Sequence, residues 1–304
     1  MKLIKPSFKI WNQPAGLEGV YKQIEKVGRV CYKSEDKMTE DSAKPFVERM
    51  TKLGHGAMLE HGTVYLKVTN KGLSLDNYDK NQVENKYISN PYSKVIFGKY
   101  PKYNSYEEKL EVTQEVYITT NYRVLVENGW LDDLQYICEP TEFHAKRITV
   151  HFVCDRGVSH EFVRHRVMSF AQESTRYCNY SKDKFGNEIT FIKPCFLDDS
   201  KLALYGPYHT VIRDKSPESI FIASLNNAEK DYIDLIDLGW KPQEARAVLP
   251  NALKTELVVT GFVSDWNHFF DLRARGTTGA PHPQAKELAE PLMKEFIARK
   301  YINN

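Results

Sequence analysis

The irregular order of helix and strand patterns is the feature that most constrains how this chain of 304 residues folds. Apolar residues recur at three-to-four spacing in residues 17–32 and again after Ser216, which predicts amphipathic helices that face a core. Runs typical of strands occupy four other segments, namely residues 63–68, 115–119, 148–154 and 253–261. No repeat and no Gly/Ser linker divides the chain. We therefore expect an α+β fold, in which residues 1–304 form a single intertwined domain with a mixed or antiparallel sheet flanked by helices.

Residues that cap or break helices predict where these elements begin. The hydroxyl groups of Thr39, Ser216 and Ser264 are suited to cap helices, and a short helix is also expected to start at Ser159. A polar stretch from Asn70 to Tyr106 is rich in Asn, Lys, Tyr and Asp and contains prolines. This composition predicts an irregular insertion within the domain.

Charge and composition exclude several classes of protein. Lysine and arginine together number 42 against 40 aspartates and glutamates, a balance too even for a protein that coats nucleic acid or an anionic membrane. Hydrophobic residues make up 41% of the chain, which excludes general disorder. No apolar run approaches the roughly 20 residues that span a bilayer, and no secretory signal is recognisable. We therefore expect a cytoplasmic protein without a membrane partner.

The cysteines and histidines do not follow the spacing of a disulfide framework or a metal site. The five cysteines are scattered without a C-x-x-C pair. The Pro194-Cys195 pair resembles the sequence around a cysteine nucleophile, but no neighbouring base is evident, so we interpret Cys195 as a buried structural thiol. His55, Glu60 and His61 lack the spacing of a metalloprotease motif, and no metal site is expected.

A segment rich in arginine is the strongest candidate for binding an anion. Its four arginines are Arg156, Arg164, Arg166 and Arg176. The planar guanidinium is suited to bidentate contact with phosphate, and the hydroxyls of Ser169, Ser174 and Thr175 add donors nearby. A solvated basic face is the alternative interpretation. The density of small hydroxyl residues favours an anion pocket.

The same segment resembles the signature of flavin-dependent thymidylate synthases. It reads Arg164-His165-Arg166-x-x-Ser169 and continues to Ser174-x-Arg176-Tyr177. Three further blocks resemble the family in the same order: GHGAMLEH at 54–61, EARAVLP at 244–250, and FFDLRA at 269–274 followed by HPQA at 282–285. The resemblance extends over about residues 17 to 295.

The resemblance implies reductive methylation of dUMP to dTMP without a cysteine nucleophile. FAD would be the cofactor, methylenetetrahydrofolate the carbon donor and NADPH the reductant. The family also implies a homotetramer whose active sites form where subunits meet, and no nucleic-acid partner.

The resemblance also implies roles for individual residues. The implied flavin contacts are Glu60, Arg164, His165, Arg166, Gln172 and His268. The implied dUMP contacts are Arg164, Gln172, Glu173, Ser174, Thr175, Arg176, Arg246 and Arg273. Arg273 would be catalytic by favouring ionisation at nitrogen 3 of uracil, and His55 would act near the folate and flavin. A fixed guanidinium suits the role given to Arg273, because carbon 5 of uracil is a weak nucleophile until negative charge develops on the ring.

Some positions differ from the family pattern. Phe262 and Ser264 stand where many compact members have Asn and Arg, and Glu161 stands where an amide can touch dUMP. Two alternatives to the active flavoenzyme therefore remain. One is a nucleotide- or RNA-binding module that uses the Arg164–Arg176 segment. The other is a degenerate relative that binds dUMP without FAD.

Overall fold

The computed structural model describes residues 1–71, 83–98, 113–182, 186–198, 200 and 216–303. Its strands are β1 (Lys2–Ile4), β2 (Ser7–Trp11), β3 (Thr63–Lys71), β4 (Lys94–Phe97), β5 (Thr113–Asn121), β6 (Arg147–Asp155), β7 (Ser169–Gln172), β8 (Thr190–Ile192) and β9 (Lys254–Phe262). Its α-helices are α1 (Gly16–Tyr32), α2 (Ala43–Lys52), α3 (Gly56–Leu59), α4 (Asn85–Ile88), α5 (Tyr122–Asn128), α6 (Arg156–Phe162), α7 (Pro217–Asp237), α8 (Pro242–Ala245), α9 (Val263–Phe270) and α10 (Pro283–Ala298). Short 3₁₀ turns cover Glu35–Lys37, Leu131–Tyr136 and Arg246–Val248, and a π-helical turn covers Asp271–Arg275. This mixture confirms the expected α+β class.

Three sheets organise the described chain. The central sheet is antiparallel, in the order β2-β6-β9-β7, and its register pairs Arg147 with Phe262 and Ser169 with Thr260. A second antiparallel sheet has the order β3-β5-β4, and β1 pairs with β8 in parallel. The expectation of mixed or antiparallel sheets is therefore confirmed.

The central sheet is covered on both faces, which explains why its strands are so apolar. One face packs on α6, α9 and α10 through aromatic side chains that include Phe152, Phe162, Trp266 and Phe269. Alternate residues on the other face, such as Val258, meet α1. Burying one such side chain contributes about 1.5–3 kcal/mol, so these contacts hold the sheet between two layers.

Helix α1 also packs against α2 and the second sheet. Gly28 is required at the crossing of α1 and α2, because a Cβ built there would lie 2.5 Å from Cζ of Phe46. Val20 and Ile24 extend the contact to Leu66 of β3 in one buried cluster. Helix α1 thus lies between the two antiparallel sheets and joins them.

Several predicted helix starts are wrong by a few residues, and local capping explains each shift. Helix α2 begins at Ala43 and not near Thr39, whose backbone N–H instead donates to Oγ of Ser42 at 2.8 Å. Helix α6 begins before Ser159, because Asp155 Oδ1 accepts from the N–H of Val158 at 2.8 Å. The start predicted at Ser216 is confirmed, since its hydroxyl accepts from Ser219 at 3.1 Å.

The predicted insertion contains regular structure in its described part. Residues 83–98 form α4 and β4, and β4 pairs with β5 through apolar residues such as Val95. Residues 72–82 and 99–106 lie outside the described residues. The extent of the domain, 1–304, stays a prediction. None of the described helices is long and apolar enough to cross a membrane.

Candidate functional site

The arginine-rich segment crosses from a helix to the edge strand of the central sheet. It starts in α6, turns at residues 163–168 and enters β7, which pairs with β9. In this turn His165 is buried, whereas its two neighbours Arg164 and Arg166 are exposed. Two guanidinium groups therefore face outward on either side of one buried imidazole.

Arg273 binds both His165 and Glu161. Its Nε donates to Nε2 of His165 at 3.1 Å. Its Nη1 donates to Oε2 of Glu161 at 2.5 Å, and its Nη2 donates to the carbonyl oxygen of the same residue at 3.0 Å. Two blocks that lie more than 100 residues apart in sequence therefore meet here, and Arg273 is held in one orientation.

The environment of His165 fixes its protonation. Burial, with the charge of Arg273 adding to it, lowers the pKa of His165 to about 4, so the ring is neutral near pH 7. Because Nε2 accepts from Arg273, the proton of the neutral ring resides on Nδ1. Nδ1 is buried and has no hydrogen-bond partner within the described chain. An N–H donor in this position is suited to an acceptor on a bound ligand.

The loop after β7 contacts Arg246, which the family resemblance assigns to dUMP. Nη1 of Arg246 donates to Oγ1 of Thr175 at 3.0 Å, which joins the turn after α8 to the loop. The backbone N–H of Ser174 donates to the carbonyl oxygen of Cys31 at 3.0 Å and fixes the loop to the end of α1. Arg176 is exposed beside the ring of Tyr177.

Glu173 and Gln172 are engaged inside the protein. Glu173 is buried, and its carboxylate accepts from Nζ of Lys254 at 2.8 Å and from the hydroxyl of Tyr180 at 3.2 Å. Nε2 of Gln172 donates to Oγ of Ser159 at 2.7 Å. Glu173 therefore contacts Lys254 inside the protein. Thr175, two residues later, contacts Arg246.

A charged network extends from Glu173 through Lys254. Nζ of Lys254 also donates to Glu256 at 2.6 Å, and Glu256 in turn contacts Lys33 and accepts from His151 at 2.8 Å. Burial alone would raise the pKa of Glu256. The hydrogen bond from His151 and the charges of Lys254 and Lys33 outweigh burial and hold that pKa well below its usual range.

The block at 54–61 places His55 and Glu60 at the two ends of α3. His55 is exposed, and its Nδ1 lies 3.4 Å from the hydroxyl of Tyr32. The carboxylate of Glu60 binds Arg123, and its carbonyl oxygen accepts from Nη1 of Arg147 at 3.1 Å.

Arg147 is a site residue that the sequence did not indicate. It is 9% exposed, and its Nη2 donates to Oγ of Ser169 at 3.2 Å, so that it links the block containing Glu60 to the arginine-rich segment. Burial lowers its pKa to about 10. Arg147 is the first residue of β6, directly before its apolar run, and the sequence pattern there predicts only the start of a strand.

A cavity of about 330 Å³ lies beside these residues. Trp11, Gln13, Tyr65, Arg147 and Tyr301 are among the residues that line it. None of the residues predicted to bind flavin or dUMP does so. The residues predicted to bind flavin and dUMP therefore lie outside this cavity.

The prediction that Cys195 is buried is wrong. Cys195 is exposed in a turn that follows β8. Partial burial, followed by the nearby charge of Glu287, raises the pKa of its thiol. A thiol of raised pKa is a poor nucleophile at neutral pH.

Comparisons with known proteins identify a matching family model and several relatives. A family model described as thymidylate synthase complementing protein matches residues 104–299. A flavin-dependent thymidylate synthase of Geobacter sulfurreducens is 30% identical over 118 residues, which are 39% of this chain and 43% of the relative. One of Pyrococcus furiosus is 32% identical over 149 residues, 49% of this chain and 53% of the relative. The chain thus spans about half the length of the curated relatives it matches.

A solved structure was also found. It is described as a UMP/dUMP methylase PolB from Streptomyces cacaoi bound with 5-Br dUMP. The alignment covers 98% of this chain and 93% of that chain, with 16% identity and a TM-score of 0.42.

Proposed function

Because the chain belongs to the thymidylate synthase complementing protein family, we propose that it is a flavin-dependent thymidylate synthase. In the proposed reaction the hydrogen on carbon 5 of dUMP is replaced by a methyl group. Methylenetetrahydrofolate supplies its carbon and NADPH supplies the reducing equivalents. The product is dTMP.

The observation that carries this proposal is the hydrogen bond between Arg246 and Thr175. These residues come from two separate blocks, and both are assigned to dUMP by the family pattern. Arg176 follows Thr175 on the same loop and is exposed, so the loop and the turn after α8 each contribute an exposed arginine. Such donors are suited to the phosphate of a nucleotide monophosphate.

The residues that would hold FAD fit an isoalloxazine or its phosphates. His165 offers a buried Nδ1–H donor without a partner in the described chain. Arg164 and Arg166 are exposed on either side of it and carry permanent positive charge. When bound, FAD would carry the reducing equivalents of NADPH to the one-carbon unit.

Arg273 is the proposed catalytic residue. Its guanidinium cannot act as a base at neutral pH, so it acts through its charge. Placed beside the pyrimidine carbonyls, it would stabilise the negative charge that makes carbon 5 nucleophilic. The bonds to Glu161 and His165 keep it oriented before substrate binds, and its remaining N–H groups are available to the ring.

A homotetramer with shared active sites is part of the proposal. Several residues assigned to ligands are exposed in the single chain, namely His55, Arg164, Arg166, Arg176, Arg246 and His268. A second subunit placed over them would enclose the ligands and exclude water, which supports the assembly. The cytoplasmic location stays a prediction.

Formation of dTMP by the purified full chain tests the proposal. The protein is incubated with FAD, dUMP, methylenetetrahydrofolate and NADPH, and the nucleotides are separated and identified by mass spectrometry. We expect dTMP only when all four are present. RNA binding that weakens steeply with salt, without any dTMP, would instead indicate the nucleic-acid-binding alternative.

A further inference from the structure

The insertion brings a lysine to the start of α9. Nζ of Lys94, in β4, donates to Oγ of Ser264 at 2.6 Å and lies 4.6 Å from the centre of the Phe262 ring. Within the described residues this ammonium has no carboxylate partner.

A second cation lies over the same aromatic ring. Cζ of Arg147 is 5.6 Å from the centre of the Phe262 ring. The partners of this guanidinium are neutral oxygens of Glu60, Thr63 and Ser169, and its Nε is buried without a partner in the described chain. No carboxylate among the described residues bonds directly to this guanidinium, and an anionic ligand would supply an acceptor for its Nε.

The start of helix α9 adds partial positive charge near the two cations. The ring of Phe262 lies where α9 begins, and helix amides at this end carry partial positive charge. The carboxylate of Asp265 accepts from the backbone N–H of Phe262 at 2.9 Å, and its charge also acts on Arg147. Arg147 also binds Glu60 and Ser169, so this place is continuous with the proposed flavin site.

We propose that Lys94 and Arg147 bind the diphosphate of flavin adenine dinucleotide, and that delivering Lys94 is a function of the insertion. This inference rests on the proposed function, since it assigns residues to the cofactor of that same site. A diphosphate carries a negative charge on each phosphate, which matches two separate cations. Phe262 and Ser264 carry no charge. The two cations near them come from other strands, Lys94 from β4 and Arg147 from β6.

Flavin binding to variants of the full chain tests this assignment. Dissociation constants for FAD and for riboflavin, which has no phosphate, are measured by flavin fluorescence on protein stripped of flavin. The variants are Lys94→Gln, Lys94→Arg as the rescue, and Lys67→Gln as the control. Lys67 belongs to the same three-stranded sheet, and its ammonium is already paired with Glu115 at 2.5 Å. Thermal melting monitors folding of each variant.

We expect Lys94→Gln to weaken FAD binding by about tenfold and to reduce the salt dependence of that binding, with riboflavin unaffected. Lys94→Arg and Lys67→Gln should bind FAD as the wild type does. Equal FAD affinity in Lys94→Gln and wild type would overturn this inference and leave the proposed function standing. An equal loss of FAD and riboflavin would also overturn it, by indicating a general structural effect. A wild-type protein that binds no flavin would refute the proposed function itself.

Discussion

Arg273 Nε donates to His165 Nε2 at 3.1 Å, and this bond determines which nitrogen of the neutral imidazole carries the proton. Burial lowers the pKa of the imidazole, the charge of Arg273 lowers it further, and the bond fixes the proton of the neutral ring on Nδ1. A residue assigned to substrate and a residue assigned to flavin are thereby coupled. Changing Arg273 is expected to alter both.

Arg273→Ala is expected to reduce dTMP formation at least a hundredfold while the protein stays folded. The reason is the loss of a fixed positive charge beside the pyrimidine, an effect of about 2.7–4 kcal/mol on the barrier for comparable donors. Single-turnover kinetics and circular dichroism measure the two properties. Arg275→Ala is the matched control, because Arg275 lies in the same π-helical turn and binds only Asp271 among the described residues. Unchanged turnover in Arg273→Ala would remove this residue from the mechanism.

Arg176→Ala and Arg246→Ala should each weaken dUMP binding by about tenfold or more, since each removes a guanidinium from the nucleotide phosphate. Isothermal titration with dUMP measures the effect. Arg299→Ala serves as the control, because Arg299 is paired with Glu295 at the far end of α10. If dUMP affinity is unaltered in both variants, the loop at residues 174–176 does not bind the substrate.

Acid should destabilise the protein through Glu256. Its folded-state pKa is depressed by His151, Lys254 and Lys33 despite burial, so the folded state binds fewer protons than the unfolded chain. The stability this supplies is complete above the ordinary pKa of about 4.5 and is lost as pH falls through the lower folded value. Urea midpoints measured between neutral pH and pH 3 should fall more steeply for wild type than for Glu256→Gln. Parallel curves would contradict the assignment.

His61 should add a second acid-sensitive step at higher pH. The residue is fully buried, and burial followed by the charge of Arg147 lowers its pKa to about 3. The unfolded chain takes up a proton near the ordinary pKa of about 6.5, so stability falls as pH drops from that value toward the folded pKa. Replacing His61 by Gln, which keeps a side-chain amide near Thr260, should flatten this part of the curve. An unchanged slope between pH 6.5 and pH 4 would show that His61 does not contribute.

Local patterns predicted four of the nine described strands, β3, β5, β6 and β9, and most helices, because alternation and helical spacing are set by which faces are buried. The strand at β6 and the helix start at Ser216 follow directly from such patterns. Contacts across the fold could not be predicted in this way. Arg147 reads as the flank of a strand, yet its partner Glu60 is 87 residues away in sequence. Lys94 lies in a segment expected to be irregular, and its partner Ser264 is 170 residues distant.

The predicted site residues illustrate the same limit. Motif spacing put Arg164, His165 and Arg166 together, but only the turn between α6 and β7 determines that the middle side chain is buried. Glu173 was assigned to dUMP by the motif, whereas its buried carboxylate faces Lys254. The assignment of each site residue stays a prediction until ligand binding is measured.

The most direct measurement of the central claim is the visible absorption spectrum of the purified full chain during turnover. The spectrum is recorded with FAD, before and after addition of NADPH, in the presence and absence of dUMP and methylenetetrahydrofolate. The account predicts flavin bands that NADPH bleaches, with dTMP formed in proportion to the NADPH consumed. A protein that acquires no flavin bands and forms no dTMP under these conditions would contradict it.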